Sequence, residues 1–370
     1  MTLSQHMKKI AVIVGTRPNF IKITQLKKEL ERYPGKFQQV LIHTGQHFDE
    51  KMSSVFFEQF QLKPDYHLGV MEKDRAAKNR KMTEEIRDVL EQEKPALVVV
   101  VGDVDSSYAA ADAAKQLHLP LAHIESGLRS FDQSMPEEVN RIGIDDKADL
   151  FFVTEESGMK NLKDEGVEDA KVHFVGNTMI DTLVHFEGAI RVNTILQDLG
   201  LSPQDYILMT MHRPANVDQK KNLQRVLQLI VKIADYRKVV LPVHPRTLKQ
   251  ISEFGLKKVI EGNSKLVLLE PLDYFAFQNL IMNSLMVITD SGGIQEETTF
   301  RKIPCLTLRD NTERPSTLEI GSNELVPLDE SLILSKVEAI CNGNTKECAI
   351  PPLWDGKATA RIVDVLNKVL

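Results

Sequence analysis

The strongest constraint on the fold is a repeated alternation of short, unbroken aliphatic runs with longer amphipathic stretches. The first half carries six such runs: Lys9–Gly15, Gln39–Gly45, Ala96–Asp103, Leu119–Glu125, Asp149–Thr154 and Lys171–Gly176. Each is rich in Val, Ile or Leu throughout instead of alternating with polar residues. That is the pattern of a strand buried on both faces, as in a parallel sheet. Segments with helical spacing, such as Phe20–Tyr33 and Thr83–Glu93, lie between most of them. Strand–helix–strand alternation predicts a mostly parallel sheet with helices on both sides. The second half repeats the plan with Tyr206–Met211, Lys238–His244, Lys265–Glu270, Leu285–Asp290, Pro304–Arg309 and Glu324–Leu328. No residue pattern recurs at a short period; what recurs is the architecture. The expected fold class is α/β, with two Rossmann-like, doubly wound parallel-sheet domains.

Length agrees, since 370 residues predict two domains. We expect an N-terminal domain over 7–177 and a C-terminal domain over 178–357. The hinge is expected near 177–203, where a helical segment ends in Leu199-Gly200-Leu201-Ser202-Pro203. A closing helix over 358–370, apolar at Ile362, Val363, Leu366, Val369 and Leu370, is expected to join the first domain. The formal charge is −6, from 46 Lys plus Arg against 52 Asp plus Glu. That balance argues against a duplex nucleic-acid binder, which needs a basic excess. The longest aliphatic run, Ala96–Val101, is far short of the roughly 20 residues of a membrane helix. Three cysteines, an odd number with no Cys-x-x-Cys spacing, fit neither a disulfide scaffold nor a zinc ribbon, and point to a reducing cytoplasm.

Ligands of open parallel sheets sit beyond the carboxyl ends of the strands. Nearly all the unusual polar residues of this chain follow its aliphatic runs. The first run ends in Gly15-Thr16-Arg17-Pro18, with Lys22 close behind and no Gly-x-Gly-x-x-Gly dinucleotide fingerprint. The third ends in Gly102-Asp103 and the fourth in Glu125, with Pro136-Glu137-Glu138-Val139-Asn140-Arg141 soon after. On a parallel sheet, Asp103 and Glu125 share one edge, and Glu137 or Glu138 can join them. Clustered carboxylates push their pKa values apart, which makes one an acid and another a base. In the second half, Met211-His212-Arg213-Pro214 and Val243-His244-Pro245 end their runs, and Asp290-Ser291-Gly292-Gly293-Ile294-Gln295-Glu296-Glu297 opens a helix. Ser-Gly-Gly at a helix start offers backbone N–H groups to a phosphate at close approach. A Glu one turn later can accept from ribose hydroxyls. With His212, Arg213, His244 and Arg314, this describes a diphosphate pocket. Metal chemistry has little support: no His-Glu-x-x-His occurs, Gly45 separates His43 from His47, and side-chain cations cover what Mg²⁺ on Asp103 and Asp105 would do.

These motifs, together with Thr44-Gly45-Gln46-His47, His123-Ile124-Glu125-Ser126-Gly127-Leu128-Arg129, Gly176-Asn177-Thr178 and Arg309-Asp310-Asn311-Thr312-Glu313-Arg314-Pro315, occur in an order that resembles the non-hydrolysing UDP-N-acetylglucosamine 2-epimerases. The resemblance spans residues 8 to 368. It implies a GT-B-type fold whose two domains face a cleft, a homodimer, and interconversion of UDP-N-acetylglucosamine and UDP-N-acetylmannosamine without nicotinamide or metal. It implies loss of UDP from C1 with the C2 proton, giving 2-acetamidoglucal, then return of both. By position, Asp103, Glu125 and Glu137 are its acid–base candidates. His212 would stabilise the departing diphosphate, with Arg17 and Lys22 assisting. Arg141, Arg213, His244, Ser291, Gly292, Gly293, Glu297 and Arg314 would bind the UDP-sugar, Glu297 at the ribose. Gln46 and His47 match the region where some members bind a second, activating UDP-sugar.

The chain departs from the family pattern at Asn19-Phe20, where Glu-Ala is frequent, at Val104-Asp105-Ser106, where Thr-Thr-Thr is frequent, and at Pro214-Ala215 after His212-Arg213. Four alternatives stand beside the reversible epimerase. One is a hydrolysing relative releasing N-acetylmannosamine and UDP, and another an epimerase of a modified UDP-hexosamine. The others are a GT-B glycosyltransferase and a UDP-sugar sensor without catalysis. A transferase needs one base and an acceptor site, whereas several acidic motifs favour elimination.

Overall fold

The computed structural model describes residues 7–45, 57–70, 72 and 74–370. Gln46 and His47, expected at an activator site, lie outside the described residues. The chain forms two compact units, one of Met1–His185 with Pro352–Leu370, the other of Phe186–Pro351.

The N-terminal unit is built on a seven-stranded sheet in the order β3-β2-β1-β4-β5-β6-β7. Its strands are β1 (Lys8–Val14), β2 (Phe37–His43), β3 (Tyr66–His67), β4 (Leu97–Val101), β5 (Leu121–Ile124), β6 (Leu150–Val153) and β7 (Val172–Phe174). Every pairing is parallel. Six of these strands coincide with the aliphatic runs. β3 has two residues at the sheet edge, too few to leave a hydrophobic pattern. The helix Asp105–Gln116 packs Ala109, Ala110, Ala111, Ala113 and Ala114 into the core at 0% exposure. Small side chains there let the helix backbone lie close to the sheet.

The second unit has a six-stranded sheet in the order β10-β9-β8-β11-β12-β13. Its strands are β8 (Tyr206–Thr210), β9 (Lys238–Pro242), β10 (Leu266–Leu269), β11 (Met286–Thr289), β12 (Cys305–Thr307) and β13 (Asn323–Leu325), again all parallel. Alternate residues divide between two cores. Ile207, Met209, Val239, Leu241, Met286, Ile288 and Leu306 join one cluster with the helix Lys220–Tyr236. Tyr206, Leu208, Val240, Val287 and Cys305 face the other. Both faces are therefore covered, which is why these strands read as unbroken apolar runs. Among the described residues no helix is long and apolar enough to cross a membrane.

In each sheet the chain runs outward from a central strand, then crosses to the other side and continues the opposite way. The reversal lies between β1 and β4 in one sheet, and between β8 and β11 in the other. The carboxyl ends of strands at such a switch point are where α/β sheets bind ligands.

The unit boundary differs from the sequence expectation. The helix Thr178–His185 and residues 352–357, expected in the second domain, belong to the N-terminal unit. Side chains hold them there: Thr182 Oγ1 donates to the Ile21 carbonyl, and Trp354 Nε1 donates to the Thr154 carbonyl at 3.0 Å. Composition marks a hinge but not these individual bonds. In the C-terminal helix Ala358–Val369, Ile362, Val363 and Leu366 are buried, whereas Val369 is 50% exposed near the chain end. Asp181 caps this helix from another element, accepting from the backbone N–H of Ala358 at 3.0 Å and Thr359 at 2.6 Å. Burial pushes its carboxyl above the usual range, and the hydrogen bonds from Thr359 and Ala358 oppose the shift. Asp181→Ala leaves both donors unmet and should cost about 2 kcal/mol. Scanning calorimetry should show a transition lowered by roughly 4–8 °C, with Asp181→Asn affected less because it keeps one acceptor. An unchanged transition would rule out the cap.

Candidate active site

At the switch point of the N-terminal unit, the turn after β1 leads into the helix Arg17–Ile23. Asn19 organises it. Its Oδ1 accepts from the N–H of Gly15 at 3.3 Å and of Thr16 at 3.2 Å, and its Nδ2 donates to the Val101 carbonyl at 2.9 Å. The residue that departs from the family pattern here thus ties the end of β1 to the end of β4. Arg17, at the helix start, is partly exposed. Lys22 is buried and forms an ion pair with Glu125, itself only 5% exposed.

β4 and β5 are registered with Val101 opposite Ile124, so Asp103 and Glu125 follow adjacent strand ends. Glu125 has φ +75°, a left-handed conformation uncommon for a residue with a Cβ. Such strain persists where the surroundings enforce it, and it concentrates at functional sites. Gly102 makes room for the pair. A Cβ there would lie 2.9 Å from Glu125 Oε2 and 3.4 Å from Lys22 Nζ, and Gly102 also has φ +64°. Gly102→Ala should therefore displace the Glu125 carboxylate and lower kcat by about 10²-fold, the cost of a misplacement near 1 Å. Steady-state kinetics on the folded variant check this, and a wild-type kcat would contradict it.

Asp103 is held by Arg141, which also pairs with Glu138. Arg141, expected among the substrate-binding residues, is 2% exposed and directs its guanidinium to these two carboxylates. It orients Asp103. Glu138 is 1% exposed and accepts from Ser130 N at 2.9 Å, Ser130 Oγ at 2.9 Å and Phe131 N at 2.9 Å. Of the two neighbouring glutamates it is the one built into the structure, while Glu137 is exposed in the first turn of the helix Pro136–Asp145. Asn140 Nδ2 donates to the Asp103 carbonyl at 2.9 Å and to Asp105 Oδ1 at 3.0 Å. Burial raises the Asp105 carboxyl, but Arg75 and Asn140 outweigh it and hold the group below the usual carboxylate range. Behind these residues, His123 lies with Nδ1 2.6 Å from Asp145 and Nε2 3.0 Å from the Gly102 carbonyl, bracing the peptide before Asp103.

The second unit places its own groups at the β8/β11 switch point. Asp290, at 0% exposure, accepts from the N–H of His212 at 3.0 Å, the N–H of Arg213 at 2.8 Å and Asn216 Nδ2 at 3.1 Å. Its Oδ1 also lies 2.8 Å from His212 Nδ1. Burial raises the Asp290 carboxyl, but the hydrogen bond and charge of His212, then Arg213 and Asn216, hold it below the usual range. This arrangement fixes the imidazole by Nδ1 and leaves Nε2 for a ligand. His244 stands 5.2 Å from His212 between ring centroids. Its Nδ1 accepts from the N–H of Arg246 at 3.1 Å at the start of the helix Pro245–Glu253. Arg213 Nε donates to the Asp290 carbonyl at 3.1 Å.

Ser291 precedes the helix Gly292–Arg301. Its N–H is already used, donating to Thr289 Oγ1 at 3.0 Å, so the donors left for an anion begin at Gly292 and Gly293. Arg314 is 5% exposed and lies beside this helix start, paired with Glu296 and Glu313. Glu297 is 5% exposed on the same helix.

Among the described residues, Arg17, Lys22, Asp103 and Glu125 follow the strand ends at one switch point, and His212, Arg213, Ser291, Gly292 and Gly293 those at the other. Sequence reasoning quoted Asn19, Asp105, Asn140 and Asp290 without seeing that they hold the site, and did not single out Arg75. Asp290 had a visible signal, a carboxylate directly after an aliphatic run. Arg75 had none, since it reaches Asp105 from 30 positions away.

A family model described as UDP-N-acetylglucosamine 2-epimerase matches residues 28–367. The chain is 38% identical to a UDP-N-acetylglucosamine 2-epimerase of Methanocaldococcus jannaschii, covering 97% of this chain and 99% of that protein. A crystal structure of the M. jannaschii enzyme in complex with UDP-GlcNAc and UDP superposes with a TM-score of 0.90, over 97% of this chain and 99% of that one. A UDP-2,3-diacetamido-2,3-dideoxy-D-glucuronate 2-epimerase of Pseudomonas aeruginosa is equally similar, at 38% identity over 98% of this chain and 100% of that protein. At 13% identity and a TM-score of 0.55, a lipopolysaccharide outer core galactosyltransferase shares the fold alone, covering 98% of this chain and 100% of that one. The fold is of the GT-B type.

Proposed function

The chain belongs to the UDP-N-acetylglucosamine 2-epimerase family, and from that premise we propose that it reversibly interconverts UDP-N-acetylglucosamine and UDP-N-acetylmannosamine without hydrolysing them. The observation that carries this reading is the pair of carboxylates on adjacent strand ends, Asp103 and Glu125, each held by its own buried cation.

The C2–H bond of the sugar has no neighbouring carbonyl to acidify it. Its cleavage must be coupled to departure of a good leaving group. A carboxylate takes the C2 proton, the C2–H electrons form the C1–C2 double bond of 2-acetamidoglucal, and the C1–O bond breaks with its electrons leaving on UDP. In return, UDP oxygen re-forms the bond to C1 while C2 is protonated from the opposite face. Removal and return on opposite faces call for two positioned groups. Asp103 and Glu125 are assigned to them, with Glu137 as a third acid–base group. Lys22 and Arg17 supply positive charge at the same switch point. In the second unit, His212 and Arg213 meet the charge that grows on the leaving diphosphate, a large term in reactions of this kind. The N–H groups of Gly292 and Gly293, with Arg314 and His244, bind the diphosphate, and Glu297 the ribose.

Incubation with UDP-N-acetylglucosamine, followed by chromatographic separation of nucleotide sugars from free sugars, tests this. UDP-N-acetylmannosamine approaching a constant ratio is expected. Free N-acetylmannosamine with stoichiometric UDP would overturn it in favour of hydrolysis. A second reading has a specific observation behind it: the equal identity to the P. aeruginosa diacetamido-glucuronate epimerase. It keeps the same chemistry on a modified UDP-hexosamine. Turnover of such a sugar, with none of UDP-N-acetylglucosamine, would favour it.

A further inference from the structure

Arg309 lies two residues beyond β12, next to the β11 end that carries Asp290 and Ser291; the N–H of the intervening Leu308 donates to the Thr289 carbonyl at 2.8 Å. Its side chain is 5% exposed. One arm of its guanidinium is occupied, with Nη2 donating to Glu313 Oε2 at 3.0 Å and to Asn311 Oδ1 at 3.3 Å. The other nitrogen, Nη1, is fully buried and has no hydrogen-bond partner among the described residues. Leaving a buried charged donor unmet is costly, and native proteins rarely retain one without a use.

The surroundings hold two further guanidinium groups. Arg213 and Arg314 act on Arg309 as like charges, and Glu313 as an opposite one. Glu313 is shared, one oxygen facing Arg309 and the other Arg314, and Glu296 Oε1 stands 3.0 Å from Arg314 Nε. Arg309 and Arg314 thus share the Glu313 carboxylate, while Arg213 lies against Asp290. The cluster abuts a helix start: a Cβ on Gly292 would lie 2.9 Å from both Arg314 Nη1 and Glu313 Oε1. That helix, Gly292–Arg301, presents first-turn N–H groups with no acceptor inside the helix.

We propose that Arg309 is a ligand-binding residue, whose Nη1 donates to an anionic oxygen of the nucleoside diphosphate beside the Gly292–Gly293 helix start. The inference rests on the UDP-sugar reading and adds to it a residue with no role there so far. A planar guanidinium gripped on one side by Glu313 is already oriented for a directional bond to a phosphate oxygen. A lysine at this position would keep the charge and lose the fork.

Isothermal titration of wild type, Arg309→Lys and Arg309→Gln with UDP, uridine and inorganic pyrophosphate tests it, with thermal unfolding as the control for folding. UDP and pyrophosphate should bind at least about tenfold more weakly to both variants, the cost of a lost charge-assisted bond, with uridine unchanged. Unchanged UDP affinity, or equal weakening of UDP and uridine, would overturn the proposal. If wild type binds pyrophosphate but not UDP, and Arg309→Gln loses pyrophosphate, the anion site stands and the nucleotide-sugar reading falls. If wild type binds neither, both fall. Should the Arg309 variants not fold, Glu313→Gln carries the test: without the grip that orients both guanidinium groups, UDP and pyrophosphate should bind more weakly with uridine unchanged, and unaltered or tighter UDP binding would contradict the account.

Discussion

Asp103→Asn should lower kcat by on the order of 10²–10⁴-fold while UDP binds as it does to wild type. That range is what a positioned acid–base group contributes. The side chain is 24% exposed, and its buried partner Arg141 keeps Glu138 as a counter-charge, so the amide leaves no buried cation without a carboxylate. Glu125→Gln should show a similar loss of turnover together with lower stability, because Lys22 would then be a buried cation without its carboxylate. UDP titration and steady-state kinetics on both variants separate the roles of the two units. UDP affinity falling in parallel with turnover would mean that the N-terminal carboxylates bind the nucleotide and do not serve proton transfer.

Asp290→Asn should behave differently, losing roughly 10²–10³-fold in kcat and also weakening UDP. The carboxylate accepts from two backbone N–H groups and the Asn216 amide, and lies against His212 Nδ1. An Asn brings its own N–H₂ into that ring of donors, so His212 and Arg213 lose their common anchor. Replacing a carboxylate that fixes a general-base imidazole costs about 10⁴-fold in other enzymes; the smaller range applies here because His212 is assigned to charge stabilisation. There is a pH signature as well. The folded-state carboxyl sits below its unfolded value, so its contribution to stability is full above about pH 4 and fades as the pH falls through the folded-state pKa. Stability of the Asn variant should be less sensitive to acid. Wild-type turnover in Asp290→Asn, measured at neutral pH, would rule out the anchoring role.

Periodicity made the architecture readable. Runs such as Leu97–Val101 are buried on both faces, and burial on both faces leaves an uninterrupted apolar signature. Position after a strand made the candidate site readable too, because parallel strands must bring Gly15, Asp103 and Glu125 to one edge. What stayed hidden depends on three-dimensional contact. Glu137 and Glu138 are neighbours of one type, and only the fold shows that Glu138 is enclosed by Ser130, Phe131 and Arg141 while Glu137 faces solvent. Asn19 looks like an unremarkable helix residue until its amide is seen to join two strand ends. The assignment of Thr178–His185 to the N-terminal unit turned on the hydrogen bond that Thr182 donates and those that Asp181 accepts, which no local pattern announces.

The most direct test is incubation of the wild-type protein with UDP-N-acetylglucosamine in D₂O, followed by proton NMR of the sugar. UDP-N-acetylmannosamine carrying deuterium at C2 is the predicted product, since the C2 proton leaves and solvent deuterium returns on the other face. Epimer that keeps its C2 protium would contradict proton transfer by Asp103 and Glu125.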